Sequence, residues 1–165
     1  MYFIGIISER QIYETLEKNL QKFDNKNQIT LVNINNKSIE NLKNVKFDAI
    51  VIGDTIEKLK EKVEKLEKMC DNLEYLVINA DIKIKNNILP NIKATIITYG
   101  GNHKATITFS SVREDTILIS VQRSFFNKKG KLIEVGDYSG SLNKEDRTNL
   151  YEILAEFIIK KLYFY

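Results

Sequence analysis

Along the first hundred residues the apolar positions switch repeatedly between short unbroken runs and a helical repeat. Tyr2 to Ile7 is a short run with β-branched and aromatic side chains, the pattern of a strand buried on both faces. Ser8-Glu-Arg-Gln11 matches a capping box, in which the Ser hydroxyl and the Gln side chain satisfy free amides at a helix start. Ile12, Leu16, Leu20 and Phe23 follow as one helical stripe. Gln28 to Ile34 predicts the next strand, Ser38 to Leu42 suits a short helical turn, and Phe47 to Ile52 predicts a third, fully buried strand. Asp54-Thr-Ile-Glu57 repeats the capping-box pattern and opens a helix with Ile56, Leu59, Val63, Leu66 and Met69 on one side. That stripe spans too few heptads for a coiled-coil seam and predicts packing onto a sheet. Tyr75 to Asn79 is the fourth strand. Such strand–helix alternation requires a parallel sheet with right-handed crossovers.

After Pro90 the pattern changes. Ala94 to Tyr99, Lys104 to Phe109 and Thr116 to Arg123 read as strands with short connections, which predict antiparallel pairing. Gly100-Gly101-Asn102 and Asn127-Lys-Lys-Gly130 supply turn residues. Leu132 to Tyr138 adds a further strand, and Tyr138-Ser-Gly-Ser141 reads as a loop. Asn143 caps a final helix that buries Leu150, Ile153, Leu154, Phe157, Ile158 and Leu162. The expected fold is therefore α/β. It is a three-layer sandwich whose mostly parallel sheet, like Rossmann or P-loop NTPase sheets, is extended by antiparallel C-terminal strands. No Gly/Ser/Pro-rich linker interrupts residues 1–165, so one domain is expected.

Composition narrows the classes. The chain has 165 residues, of which 43% are hydrophobic and 28% charged, so it is expected to fold and not to remain disordered. Its 25 basic and 22 acidic residues leave a net charge of only +3. Lys is interleaved with Glu, as in residues 57–68, and Arg occurs only at positions 10, 113, 123 and 147. That pattern makes a solvated helix face and argues against nucleic-acid binding. No apolar run approaches the roughly 18–20 residues of a membrane span, and the start lacks the basic residues of a signal peptide. The expectation is a soluble cytoplasmic protein without membrane contact.

The chemical inventory is thin. A single His (His103) and a single Cys (Cys70) exclude multi-His or multi-Cys zinc sites and disulfides within the chain. Cys70 ends an amphipathic helix, where it reads as a small buried hydrophobe, and His103 reads as a solvent-facing turn residue. Ser110, Ser111, Thr98, Thr106 and Thr108 read as strand-face hydroxyls with no His near in sequence to activate one. The glycines never form a phosphate-cradling loop. Asp81 follows the fourth strand, where open α/β sheets bind ligands, although Asn79 and Asp81 equally suit caps of the following turn.

The order of the segments resembles the central, ATP-binding domain of the Mur ligase family, enzymes that join amino acids to peptidoglycan precursors. Leu76-Val-Ile-Asn-Ala-Asp81 is similar to the family's V-x-N-A-D-D segment, and Ile97-Thr98-Tyr99-Gly100 to its I-T-Y-G strand. Lys104 to Thr108 resembles the strand that follows. Phe47 to Asp54 resembles F-D-x-A-V-x-T-N, and Phe3 to Ile7 the strand entering the G-T-N-G-K-T loop. Gly140 to Asn143 and Asn149 to Ala155 resemble G-x-H-N-x-x-N-x-x-A-A. The resemblance implies that Asn79, Asp81, Tyr99 and His103 are the residues that would hold a nucleotide. It implies no catalytic residue and no metal ligand here.

Departures from the family pattern shape the expected function. Ile7 runs directly into Ser8-Glu-Arg with no glycines and no Lys, no acidic residue occurs at 31–33, and the segment after Asp54 lacks the family's His. No counterpart of the carbamylated Lys segment or of the flanking substrate domains is found. Acyl phosphate formation needs fixed cations around the γ-phosphate, so the expectation is a bacterial, non-catalytic domain that needs no cofactor. It would act on an unknown protein partner or small ligand, linked to cell-wall metabolism. The space after Ile7 is expected to be filled or blunt, with no phosphate seat at the first helix. Two alternatives stay open. One is a sensor that keeps residual nucleotide binding; the other is a self-associating protein such as a homodimer, because the tail Ile158 to Tyr165 ends in aromatic residues.

Overall fold

The structure, a computed structural model, describes residues 1–42, 44–54, 56–82, 92–142 and 149–165. It is an α/β fold with mixed, mostly parallel β-sheet and covering helices. The chain divides into two compact units, Met1–Ile96 and Ile97–Tyr165. The division falls inside a strand, so no linker marks it in the sequence.

The first unit contains β1 (Tyr2–Ile7), α1 (Arg10–Phe23), β2 (Ile29–Asn33), β3 (Ala49–Ile52), a 3-10 helix (Ile56–Lys62), α2 (Val63–Cys70) and β4 (Tyr75–Asn79). Its strands are parallel and ordered β2-β1-β3-β4, with Ile4 opposite both Leu31 and Ala49. The crossovers through α1 and α2 travel in opposite directions along the sheet, so right-handedness places the two helices on opposite faces. On one face Ile7, Ile50, Ile52 and Leu76 pack with Ile56, Leu59, Leu66 and Met69, as the apolar stripe predicts. α1 buries Leu16 and Leu20, whereas Phe23 is exposed. Gly5 lies in this core because there is no room for more: a Cβ there would sit 2.4 Å from Ile34 Cδ1 and 3.3 Å from the Phe47 ring.

The first capping box is corrected, and so is the helix type expected after Asp54. The N-cap of α1 is Glu9, without a side-chain cap, and the Ser8 hydroxyl donates to the Glu9 carbonyl (3.1 Å). The turn is held instead from β3, because the Glu9 amide donates to Asp54 Oδ1 (3.2 Å). The helix after Asp54 does not open as an α-helix. The chain runs through seven residues of 3-10 helix before α2 begins at Val63, and Thr55 lies outside the described residues. The turn at 36–41 forms as expected and is fastened to the next helix, since the Glu40 carboxylate accepts hydrogen bonds from Lys62 and Lys65.

The second unit begins within β5 (Thr95–Tyr99). It continues with β6 (Ile107–Val112), β7 (Thr116–Val121), β8 (Phe125–Phe126), β9 (Leu132–Ile133), β10 (Gly136–Ser141) and α3 (Leu150–Tyr163). The order is β5-β6-β7-β10, with β8 and β9 forming a separate hairpin. β6–β7 and β7–β10 are antiparallel, as expected. β5 and β6, however, pair in parallel through Tyr99 and Ile107. The short link suffices because the strands meet only at their ends. There the Thr106 amide donates to Thr98 Oγ1 (2.8 Å) and the Gly100 amide to the Ile107 carbonyl (3.2 Å). Residues 138–141, read from sequence as a loop, belong to β10, which pairs along its whole length with β7.

Asn127 is the polar anchor of the second unit and is 2% exposed. Its Oδ1 accepts the Lys129 and Lys131 amides (3.0 and 2.9 Å), and Nδ2 donates to the Tyr165 carbonyl. The Lys128 amide donates to the Leu162 carbonyl (3.0 Å), so this turn satisfies acceptors at the C-terminal end of α3. Gly130 closes the turn at φ +75°, a region glycine enters without a Cβ penalty. α3 buries Leu154, Ala155, Ile158, Ile159, Leu162 and Tyr163; the predicted stripe residues Leu150, Ile153 and Phe157 are half-buried. The expected cap at Asn143 lies outside the described residues.

Two predictions follow from these anchors. Asn127→Ala strips the buried partner from several backbone groups and should lower unfolding free energy by about 2–3 kcal/mol, read from urea denaturation. Hydrogen bonds from Lys62 and then Lys65 hold the Glu40 carboxyl down at about 2, against the ordinary 4.5. A depressed carboxyl stabilises fully above its unfolded value and loses that contribution as pH falls from about 4.5 towards 2. Glu40→Gln should therefore flatten the stability profile across that window, and an unchanged acid limb contradicts the clamp.

Candidate functional site

β1 is where the strand order reverses: the chain places β2 on one side and β3 on the other. Segments that diverge from such a point leave a crevice beyond the carboxyl ends of the strands. In the first unit that crevice is an open cleft of about 540 Å³, lined by residues 8–11, 33–37 and 58–59. The expectation that the space after Ile7 is filled or blunt is thereby corrected. Ser8 and Glu9 have no bulk to spare for filling it: the Ser8 side chain is buried against the end of β3, and the Glu9 backbone is tied to Asp54.

Three segments build the cleft for separate reasons. The first is the start of α1, whose position is fixed by the close approach of β3. The second is the loop after β2. There Asn35 Oδ1 accepts the Lys37 and Ser38 amides (2.9 and 3.1 Å), and the Ser38 hydroxyl donates to the Asn33 carbonyl (2.8 Å). Asn35 Nδ2 also donates to Asn33 Oδ1 (3.0 Å), which fixes one carboxamide against the other. The third is the 3-10 helix, which brings Lys58 and Leu59. Ile34 and Leu59 are both fully buried and give the cleft an apolar floor.

Its polar lining carries both signs of charge. Lys58 Nζ lies 3.5 Å from the Glu9 carboxylate, and both side chains are mostly exposed. Arg10 also lines the cleft, and its Nε lies 2.6 Å from Glu14, a residue of α1 that is not part of the lining. Lys37 forms no ion pair among the described residues. Gln11, Asn33 and Asn36 add carboxamides to the same walls. The arrangement can hold a small polar molecule by hydrogen bonds and charge, and exposed pairs such as Lys58–Glu9, worth about 0–1 kcal/mol, are readily exchanged for a ligand.

The four residues implied by the family resemblance fall elsewhere. Asn79 ends β4, is 6% exposed, and accepts the Asp81 amide on Oδ1 (3.0 Å), the turn-capping role that its spacing also allowed. Asp81 is exposed in that turn. Tyr99 ends β5 and is buried beside Ile107, while His103 is exposed in the turn that follows. Asn79 and Asp81 thus meet in the first unit, and Tyr99 and His103 flank one loop in the second. Asn33, Lys37 and Lys58 also line the cleft and belong to no motif in the sequence. The signal that could have found them is positional: Asn33 ends β2, the strand next to the reversal point, and Lys37 follows it.

Other reactive groups are occupied by packing. Cys70 is buried, and burial, reinforced by Asp71 and Glu67, pushes its thiol up to about 12, where the thiolate nucleophile is scarce at neutral pH. Lys161 is held over the rings of Tyr138 (4.3 Å), Tyr165 (4.6 Å) and Phe157 (5.3 Å). Burial, with Lys131 nearby, shifts its ammonium downward. Among the described residues no group of His, Cys, Asp and Glu side chains gathers that could hold a metal ion. No helix among them is long and apolar enough to cross a membrane.

No protein-family model matches the chain, and no curated protein matches it either.

Proposed function

We propose that this chain works by binding and not by catalysis, and that its ligand site is the cleft at the carboxyl ends of β1 and β2. The observation that carries the reading is the cleft itself: a volume of about 540 Å³ at the point of strand reversal, walled by groups from three separate segments. That volume lies in the range of small-molecule pockets, roughly 300–1,000 Å³.

The chemistry of the β1–α1 turn supports binding without phosphoryl transfer. Ser8-Glu9-Arg10 has a side chain at every position, so backbone amides cannot wrap a triphosphate as glycine-rich loops do. The Glu9 carboxylate stands at the same place and would repel it. On the resemblance to the Mur ligase central domain, the module is a non-catalytic relative that serves bacterial cell-wall metabolism as a small-ligand sensor or regulator. A nucleotide site at Asn79, Asp81, Tyr99 and His103 is the alternative reading; there Asn79 Oδ1 already accepts the Asp81 amide.

A thermal-shift screen of nucleotides, UDP-sugars, amino acids and short peptides, followed by amide NMR mapping, tests the reading. A ligand at a hundred times its Kd contributes about 2.7 kcal/mol, which raises the melting temperature by about 5–10 °C in a protein of this size. Its shifts should centre on residues 8–11 and 33–37. A ligand that stabilises the protein while perturbing only residues outside those segments contradicts the assignment, as does a screen in which nothing binds.

A further inference from the structure

We propose that the ligand of this cleft is zwitterionic: a free α-amino acid or a dipeptide with its ammonium and carboxylate both unmodified. The inference rests on the binding role assigned to the cleft above and names the class of molecule the cleft takes. Three cationic side chains (Arg10, Lys37 and Lys58) and one carboxylate (Glu9) line it. A ligand carrying only negative charge would have to accommodate Glu9, and a purely cationic one would face an excess of positive charge. A molecule with both charges matches both.

The pairing is specific. Lys58 and Glu9 are already 3.5 Å apart and solvent-exposed, so a ligand carboxylate can take Lys58 while a ligand ammonium takes Glu9, at little cost in lost ion pairing. Lys37, on the loop after β2, lines the same cleft without an ion pair among the described residues and is the second cation available to the carboxylate. The remaining polar lining is carboxamide. Asn33 Oδ1 and Asn35 are committed to each other and to the loop. The amides of Gln11 and Asn36, and Asn33 Nδ2, have no hydrogen-bond partner among the described residues. A carboxamide offers a donor and an acceptor in one plane, the complement of a peptide group. The apolar floor of Ile34 and Leu59 accommodates an aliphatic side chain or backbone methylene.

Titration of the full chain with Gly-Gln, its N-acetylated form, its C-terminal amide and AMP, followed by amide NMR, tests the assignment. Gly-Gln should shift residues 8–11 and 33–37. N-acetylation should weaken binding by about tenfold in the wild type and by much less in Glu9→Gln. Amidation of the carboxylate should weaken binding by a similar factor in the wild type and by less in Lys37→Gln. Acetylated and free dipeptides of equal affinity, or AMP bound in the cleft in preference to Gly-Gln, overturn the zwitterion inference while leaving the cleft as the site. Absence of shifts in those segments with every ligand tested, together with none in the wider screen, overturns the cleft reading as well.

Discussion

The close approach of Gly53 to the end of β1 sets the geometry on which the first unit depends. The Gly53 amide donates to the Ile7 carbonyl at 2.7 Å, and a Cβ on Gly53 would lie 3.1 Å from both that oxygen and the Ser8 Cβ. At that separation neither backbone can yield cheaply. The contact locks the ends of β1 and β3 in register and brings Asp54 within reach of the Glu9 amide. From there the start of α1, the missing side-chain cap and the mouth of the cleft all follow. The helix begins at Arg10 because β3 holds its entry and not because Ser8 caps it.

The cleft is a product of topology as much as of residues. Its walls come from positions 8–11, 33–37 and 58–59, which share no local pattern and meet only because β1 sits between β2 and β3. The loop after β2 is hydrogen-bonded internally through Asn35 and Ser38, and Glu40 ties it to Lys62 and Lys65. Preorganisation of this kind lowers the ordering cost of binding. It also explains why polar, turn-forming residues crowd this loop: the same Asn side chains build the turn and line the cavity.

How far the sequence reports this structure depends on how local each cause is. Ala49–Ile52 is legible as a strand because all four residues are buried, and Leu16 and Leu20 are legible because a helix repeats every 3.6 residues. The Asn127–Gly130 turn is legible from its residue types. The 3-10 start before α2 is not, because Ile56, Leu59, Val63 and Leu66 fit the apolar stripe of an α-helix equally well. Parallel pairing of β5 with β6 is hidden as well, since it rests on Thr98 and Thr106 meeting over a short loop. Of the site, the sequence named the carboxyl end of β4; the cleft lies beside β1, a choice that only strand order makes.

The most direct measurement of the central constraint is the stability and amide spectrum of Gly53→Ala. Crowding Ile7 and Ser8 by one methyl should cost about 1–3 kcal/mol, and the amide shifts should spread from Ile7 and Gly53 through Glu9 to the first turn of α1. A variant as stable as the parent, with residues 7–11 unmoved, would contradict the claim that this contact fixes where the helix starts and the cleft opens.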